Sequence, residues 1–280
     1  MLNKITFVIK LKKFSLYLSL LKYSITNPSK GILMIQVNRE VKKDGKEKVK
    51  KFNIESQTLN DGLKQLFPNS NLKIEQIKKE IQHVEFHHEE FFDELENKIY
   101  PSKEKPYPID YSLDSDSGIL LYVLTKIIKP ETIVETGVAY GRSTTFILQS
   151  LNDNQKGKLY SVDSTFRPWE TKKMIGSAIP EDIKKRWKLI FGTSKNELKN
   201  ICKSLDVIDI FIHDSLHTYE NMMYEFELIW PFIKKNGYLL SDDILGNNAF
   251  YDFCKLKKIK PMIFKQKSNN LFGLIKKIDN

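Results

Sequence analysis

From Gly118 onward, short β-branched apolar runs alternate with longer segments of helical period, and this alternation limits the available folds more than any other feature of the chain. The runs "TIVET", "KLYSVD", "WKLIFG", "VIDIFIHD" and "GYLLSDD" are separated by "STTFILQSL", "WETKKMIGSAI", "SKNELKNICKSL" and "HTYENMMYEFELIWPFI", and "NNAFYDFCKL" follows the fifth. Apolar strands joined by crossover helices predict a doubly wound, mainly parallel α/β sheet with helices on both faces. Two further strands, "KPMIFKQ" and "LFGLIKKI", are joined only by the few residues around "KSNN". A parallel crossover needs a dozen or more residues, so this pair forms an antiparallel C-terminal hairpin.

Sheets of this kind bind ligands beyond the carboxyl ends of their strands. The loop after the first strand, "IVETGVAYGRST" from Ile133 to Thr144, runs from a strand into glycines and hydroxyls. A dinucleotide fingerprint opening at Gly137 needs glycines two and five residues later, where Ala139 and Arg142 stand. A P-loop needs four residues between its glycines and a lysine after the second, but three residues separate Gly137 from Gly141, and Arg142 follows. What remains is an acidic strand end, Glu135, before a tight Gly-x-x-x-Gly turn, which suits a cationic or zwitterionic nucleoside better than a polyphosphate.

The charge pattern separates the chain's beginning from its body. Of the net +10, residues 1–57 carry 13 Lys/Arg against 4 Asp/Glu, or +9, leaving 32 against 31, or +1, for the remainder. A nearly neutral body argues against nucleic acid as the partner, because a basic groove is the usual footprint of such an enzyme. The first segment, "MLNKITFVIKLKKFSLYLSLLKYS", is interrupted by Lys10, Lys12, Lys13 and Lys22, short of the ~20 apolar residues of a membrane span. Peripheral contact with a membrane surface, an element packed on the body, and a translation start at Met34 are its open readings. Cys202 and Cys254 show no metal or redox spacing, so both are expected reduced in a cytoplasmic compartment.

Three regions follow: a basic leader over 1–57, a helical cap over 58–110 and the main domain over 111–280. In the cap, Leu63, Leu66, Ile74, Ile77, Ile81, Val84, Phe91, Phe92 and Leu95 recur at three- and four-residue steps. His83, His87, Glu90 and Glu94 share one predicted helix face, as metal ligands or as a solvated charged surface. "YPSKEKPYPIDYSLDSDSG" reads as a proline-rich linker whose Asp114 to Ser117 cluster caps the next helix.

A parallel sheet closed by an antiparallel hairpin resembles the Rossmann-like fold of the class I S-adenosylmethionine-dependent methyltransferases. "VETGVAYGRST" is similar to their first motif, with Glu135, Gly137, Gly141 and Ser143 in the matching positions. The resemblance implies that Asp163, ending "SVD", accepts the ribose hydroxyls, and that Gly192, Thr193 and Ser194 border the adenine. "DIFIHDSLHTYENMMYEFELIWPFIKKNGYLLSDDI" resembles the small-molecule O-methyltransferase group that includes macrolide-sugar and cephalosporin-tailoring enzymes, and more distantly the catechol O-methyltransferases. Catechol enzymes carry Asn in place of Asp243 and a lysine in place of His217, so those two roles are where this chain departs. The likeness covers residues 110–280 and none of the first 57.

The implied activity is methyl transfer to a hydroxyl of a small molecule such as a sugar or phenol. Asp214 ends the fourth strand, and Asp242 and Asp243 end the fifth, so all three lie at the carboxyl edge. Three carboxylates suit Mg²⁺, which would act as a Lewis acid on the acceptor, with Asp214 shared between metal, cofactor and catalysis. Against this, each aspartate could simply cap the following helix. His217 is a candidate general base, or an orienting group for Asp214, while His213 reads as structural. Alternatives are a nucleic-acid or protein methyltransferase using the basic arm, and a non-catalytic binding protein of the same fold. The strand end "HDSLHTY" lacks the Asn/Asp-Pro-Pro-aromatic motif of base amino-methylating enzymes. Self-association stays open.

Overall fold

The computed structural model describes residues 18, 20–52, 55–71, 73–96, 113–165, 170–266 and 270–278. Most of the proline-rich linker, the first 17 residues of the leader and the join of the C-terminal hairpin lie outside the described residues. Seven strands form one sheet: β1 (Thr132–Thr136), β2 (Lys158–Asp163), β3 (Trp187–Phe191), β4 (Ile208–His213), β5 (Ile233–Ser241), β6 (Met262–Lys265) and β7 (Leu271–Lys276). Their order is β3-β2-β1-β4-β5-β7-β6. The first five are parallel, β7 runs antiparallel to β5, and β6 antiparallel to β7, as the short join requires.

Each strand sorts its side chains by alternation. Ile133, Ile210 and Ile212 enter one apolar layer, while Val134 and Phe211 enter the layer on the opposite face. The first layer is closed by α5 (Ser115–Ile128) and α6 (Arg142–Asp153), the second by α7 (Ser194–Leu205), α8 (Tyr219–Ile229) and α9 (Ala249–Lys257). Helix α5 begins where Asp114 accepts a hydrogen bond from the Ser117 amide at 2.8 Å, and it ends at left-handed Lys129. The helix expected from "WETKKMIGSAI" does not form. Lys172–Met174 and Glu181–Arg186 are instead 3₁₀ turns, separated by left-handed Gly176 and by Pro180, neither of which suits an α-helix interior.

Before the sheet come α1 (Pro28–Asp44), α2 (Leu59–Leu66), α3 (Ile74–Glu80) and α4 (Gln82–Glu94). Helix α4 sits on the β1–α6 turn. Phe91 and Phe92 pack on Tyr140, His87 Nε2 donates to the Ala178 carbonyl at 2.9 Å, and Arg142 pairs with Glu85 at 2.8 Å. That pair offsets a cation in the first turn of α6, where the helix dipole disfavours one. His87 is so engaged, but His83, Glu90 and Glu94 of the same face are exposed to solvent, and the face forms no metal-ligand group among the described residues. Helix α1 and the chain after it lie across the carboxyl edge as a strap. Lys30 reaches Thr165 after β2, Lys50 reaches Asn248 before α9, and Gln57 pairs with β6 at Phe264. Among the described residues no helix is long and apolar enough to cross a membrane. Cys202 and Cys254 are free and buried.

Candidate active site

The strand order reverses between β1 and β4, and the site lies at that switch point. Thr136, His213 and Ser241 stand in one row across β1, β4 and β5, so the next residues, Gly137, Asp214 and Asp242, emerge together from the edge. The row is stitched by Asp214 N–H donating to Thr136 O at 2.8 Å and Asp242 N–H donating to His213 O at 2.9 Å. Gly137 has φ of +86°, and a Cβ there would fall 1.9 Å from the Asp214 carbonyl oxygen. Glycine is therefore required both by conformation and by the closeness of the next strand end.

Glu135 is fully buried and accepts hydrogen bonds from Ser143 at 2.8 Å, Thr144 at 2.8 Å and Ser161 at 2.7 Å. Burial raises its pKa to about 7 against the pull of those hydroxyls. The carboxylate thus clamps the first turn of α6 to β1 and β2, and Ser143 is part of the same clamp. Asp163 accepts from the amides of Val138 at 2.9 Å and Ala139 at 2.8 Å through one oxygen, and from Ser164 through the other. It braces the Gly137–Gly141 turn from β2, with its pKa lifted to about 6 by burial despite the three amides. Gly192 N–H donates to the Asp163 carbonyl at 2.9 Å, and Thr193 and Ser194 open α7 beside it. Gly141, at φ of +101°, starts α6 close against Ile179 and Gly176.

At the other side of the switch point, the ligand atoms of Asp214, His217 and Asp242 lie within 4.8 Å of one another. None of the three aspartates caps a helix: Thr218 caps α8 by accepting from Asn221 N–H, and Asn247 accepts from the Ala249 amide at the start of α9. Asp214 is raised well above the usual carboxylate range by burial, then by Asp242 and Glu135, and burial lifts Asp242 to about 6. Two adjoining carboxylates in such a place hold a shared proton or a cation. His217 is held down to about 4 by burial and by His213, so its imidazole is neutral at pH 7. Its Nε2 is buried without a hydrogen-bond partner, 3.8 Å from Asp214 Oδ1. Asp243, at φ of +54°, stands outside this group: it accepts from Asn270 and lies 4.0 Å from His217 Nδ1.

Several supporting residues carry no motif. Glu225, inside α8, receives His213 Nδ1 at 2.7 Å, Thr136 at 2.6 Å, Ser215 at 2.7 Å and Asn221 at 3.0 Å. Burial pulls its pKa up, but His213 and the hydroxyls prevail and hold it near 2, so an ionised carboxylate ties β1, β4 and α8 beneath the site. Gln266 donates to Asp242 at 2.6 Å. The one legible hint of Glu225 is its place one helical turn after the Asn221 that ends "HTYEN", on the same face of the helix.

A family model described as a methyltransferase domain matches residues 134–244, a span from within β1 to just past β5 that holds Glu135, Gly137, Asp163, Asp214, His217 and Asp242. The chain carries the fold of the class I S-adenosylmethionine-dependent methyltransferases. Solved methyltransferases share its fold. An O-methyltransferase from Bacillus cereus in complex with S-adenosylhomocysteine is 14% identical, with 79% of this chain and 100% of that one covered and a TM-score of 0.52. The O-methyltransferase TomG from Streptomyces achromogenes, involved in tomaymycin synthesis and solved with S-adenosylmethionine, is 13% identical over 79% of this chain and 97% of its own length, with a TM-score of 0.50. No curated protein matches the chain by sequence.

Proposed function

We propose that this protein is an S-adenosylmethionine-dependent methyltransferase acting on a hydroxyl of a small molecule, such as a sugar or phenol, with a divalent cation held by Asp214, Asp242 and His217. The observation that carries this reading is the convergence of those three side chains within 4.8 Å, against the Gly137 turn. The residues fit a cation: two carboxylates have pKa values pushed up by burial, that of Asp214 further by Asp242, and an imidazole nitrogen is buried without a partner. Oxygen ligands suit Mg²⁺, and the imidazole extends the choice to Mn²⁺ or Fe²⁺. Two fold relatives named as O-methyltransferases support oxygen as the acceptor atom.

S-adenosylmethionine supplies an electrophilic methyl group when bound, and a cation supplies Lewis acidity toward a hydroxyl. The protein's own part is placement. The Gly137–Gly141 turn, without side chains at its two ends, leaves a ligand room to approach the backbone, and Asp163 and Glu135 hold that turn from below. Asp214 and Asp242 present oxygens at one level because their strands are in register. His217, with Nδ1 toward Asp243, keeps an Nε2 lone pair toward Asp214, where it can coordinate or accept a proton.

Calorimetric titration with Mg²⁺ and Mn²⁺ tests the reading without knowledge of the acceptor. Binding by the intact protein that is lost in Asp242→Asn, with S-adenosylhomocysteine affinity retained, is expected. Absence of Mg²⁺ and Mn²⁺ binding by the intact protein, with S-adenosylhomocysteine still bound, would overturn the cation and leave His217 as a metal-free base.

A further inference from the structure

The strap has two unlike faces. Its inward face puts Lys30 on Thr165, Glu40 on the Thr218 hydroxyl at 2.7 Å and Asp44 on the Tyr219 amide at 2.8 Å. The helical acids are thereby turned toward the body, and the only exposed acid among the described residues from 18 to 50 is Glu47. On the outward side, Leu21, Ile25, Ile32 and Ile35 are 59%, 74%, 57% and 55% exposed. Lys22, Arg39, Lys42 and Lys43 are exposed on the same two helical stretches, 20–26 and α1. A bend at Asn27 and Pro28 joins the stretches and brings Ser24 against Gly31.

We infer that this outward side of the strap docks on an anionic lipid surface. Large aliphatic side chains flanked by lysines, with no competing acid among them, are the signature of a helix lying in a headgroup layer. Nucleic acid fits less well, because exposed leucine and isoleucine neither stack on bases nor reach phosphates. A second copy fits less well because a two-fold contact sets like charges against one another. The region's +9 charge, set against +1 for the remainder, supplies the long-range attraction, and the aliphatic side chains supply the hold at contact.

Co-sedimentation of the full-length protein with vesicles of phosphatidylglycerol and phosphatidylcholine, and with vesicles of phosphatidylcholine alone, tests this. Binding to the anionic vesicles only, weakened by salt, is expected. Each basic residue removed lowers partitioning about five-fold, so Lys42→Gln with Lys43→Gln lowers it roughly twenty-five-fold. Ile32→Asn with Ile35→Asn lowers it roughly tenfold or more. Both double variants change exposed positions and should keep the thermal midpoint and S-adenosylhomocysteine affinity of the parent. Failure to sediment with anionic vesicles overturns the inference. So does binding insensitive to the isoleucine changes, or a concentration-dependent dimer that the isoleucine changes abolish.

Discussion

Gly137→Ala is the sharpest probe of how the two halves of the site are joined. The added Cβ would lie 1.9 Å from the Asp214 carbonyl oxygen, 2.5 Å from its carbon and 2.9 Å from the Ser215 nitrogen. Normal contact requires the strand ends to part by more than an ångström, roughly the difference between that distance and a tolerable ~3.2 Å. They are not free to do so, because Asp214 N–H donates to Thr136 and Gly137 N–H donates to Val162. Losing both bonds costs about 2 kcal/mol, and holding alanine at φ of +86° adds about 1–2 kcal/mol. A loss of about 3–4 kcal/mol corresponds to a fall of roughly 6–16 °C in the thermal midpoint for a chain of this size. Thermal unfolding by circular dichroism gives that value, and calorimetry with S-adenosylhomocysteine should show binding weakened at least tenfold. A midpoint within about 2 °C of the parent, with unchanged affinity, would refute the argument that the turn and the β4 end are in forced contact.

Glu135 binds its proton more tightly in the folded state, at about 7 against an ordinary 4.5, so its stabilising effect is full below pH 4.5 and is lost as pH rises to 7. Relative to Glu135→Gln, the cofactor-free parent should therefore gain up to about 3 kcal/mol between pH 7 and pH 4.5, read from denaturant midpoints, and a flat difference contradicts the buried-acid assignment. Glu225→Ala strands His213, Thr136 and Asn221 without an acceptor and should cost about 3–5 kcal/mol, while Glu225→Gln recovers part of that in chemical denaturation. Asp243→Ala should keep most cation binding and Asp214→Asn should lose it, because Asp243 stands outside the converging group; equal losses by calorimetry would place Asp243 among the ligands. Thr218→Ala removes the cap of α8 and the tie to Glu40 together, and a fall of about 1–2 kcal/mol in stability is expected.

The sheet was legible because its strands are buried on both faces and its joins have lengths that permit one direction each. Ile133 to Glu135 and Ile210 to His213 read directly as parallel core strands, and "KSNN" as a hairpin join. Asp214 and Asp242 were legible for the same reason, since position at a strand end follows from strand direction. The choice between His217 and Asp243 was not. It depends on a left-handed backbone at Asp243 and on Asn270 just before β7, and neither leaves a local signal. Glu225 was equally silent, because its partners come from β1, β4 and the α8 entry, and a charged residue in a helix reads as solvated until those donors surround it. The strap's course was hidden by its composition. Its basic surplus reads as a detached arm, whereas the few acids that fix it to the body are outnumbered in the same segment.

The strap also bears on the order in which the chain can assemble. Its anchors are Tyr219, Asn248 and the β6 edge, and the contact from Lys50 to Asn248 alone spans 198 residues. Contacts of such separation carry a large loop-closure cost and form late. On a ribosome the strap segment waits undocked until the β6–β7 hairpin has emerged and paired with β5. Docking of the strap is thus the closing event of folding, and a chain stopped just before it holds a finished sheet with its carboxyl edge uncovered.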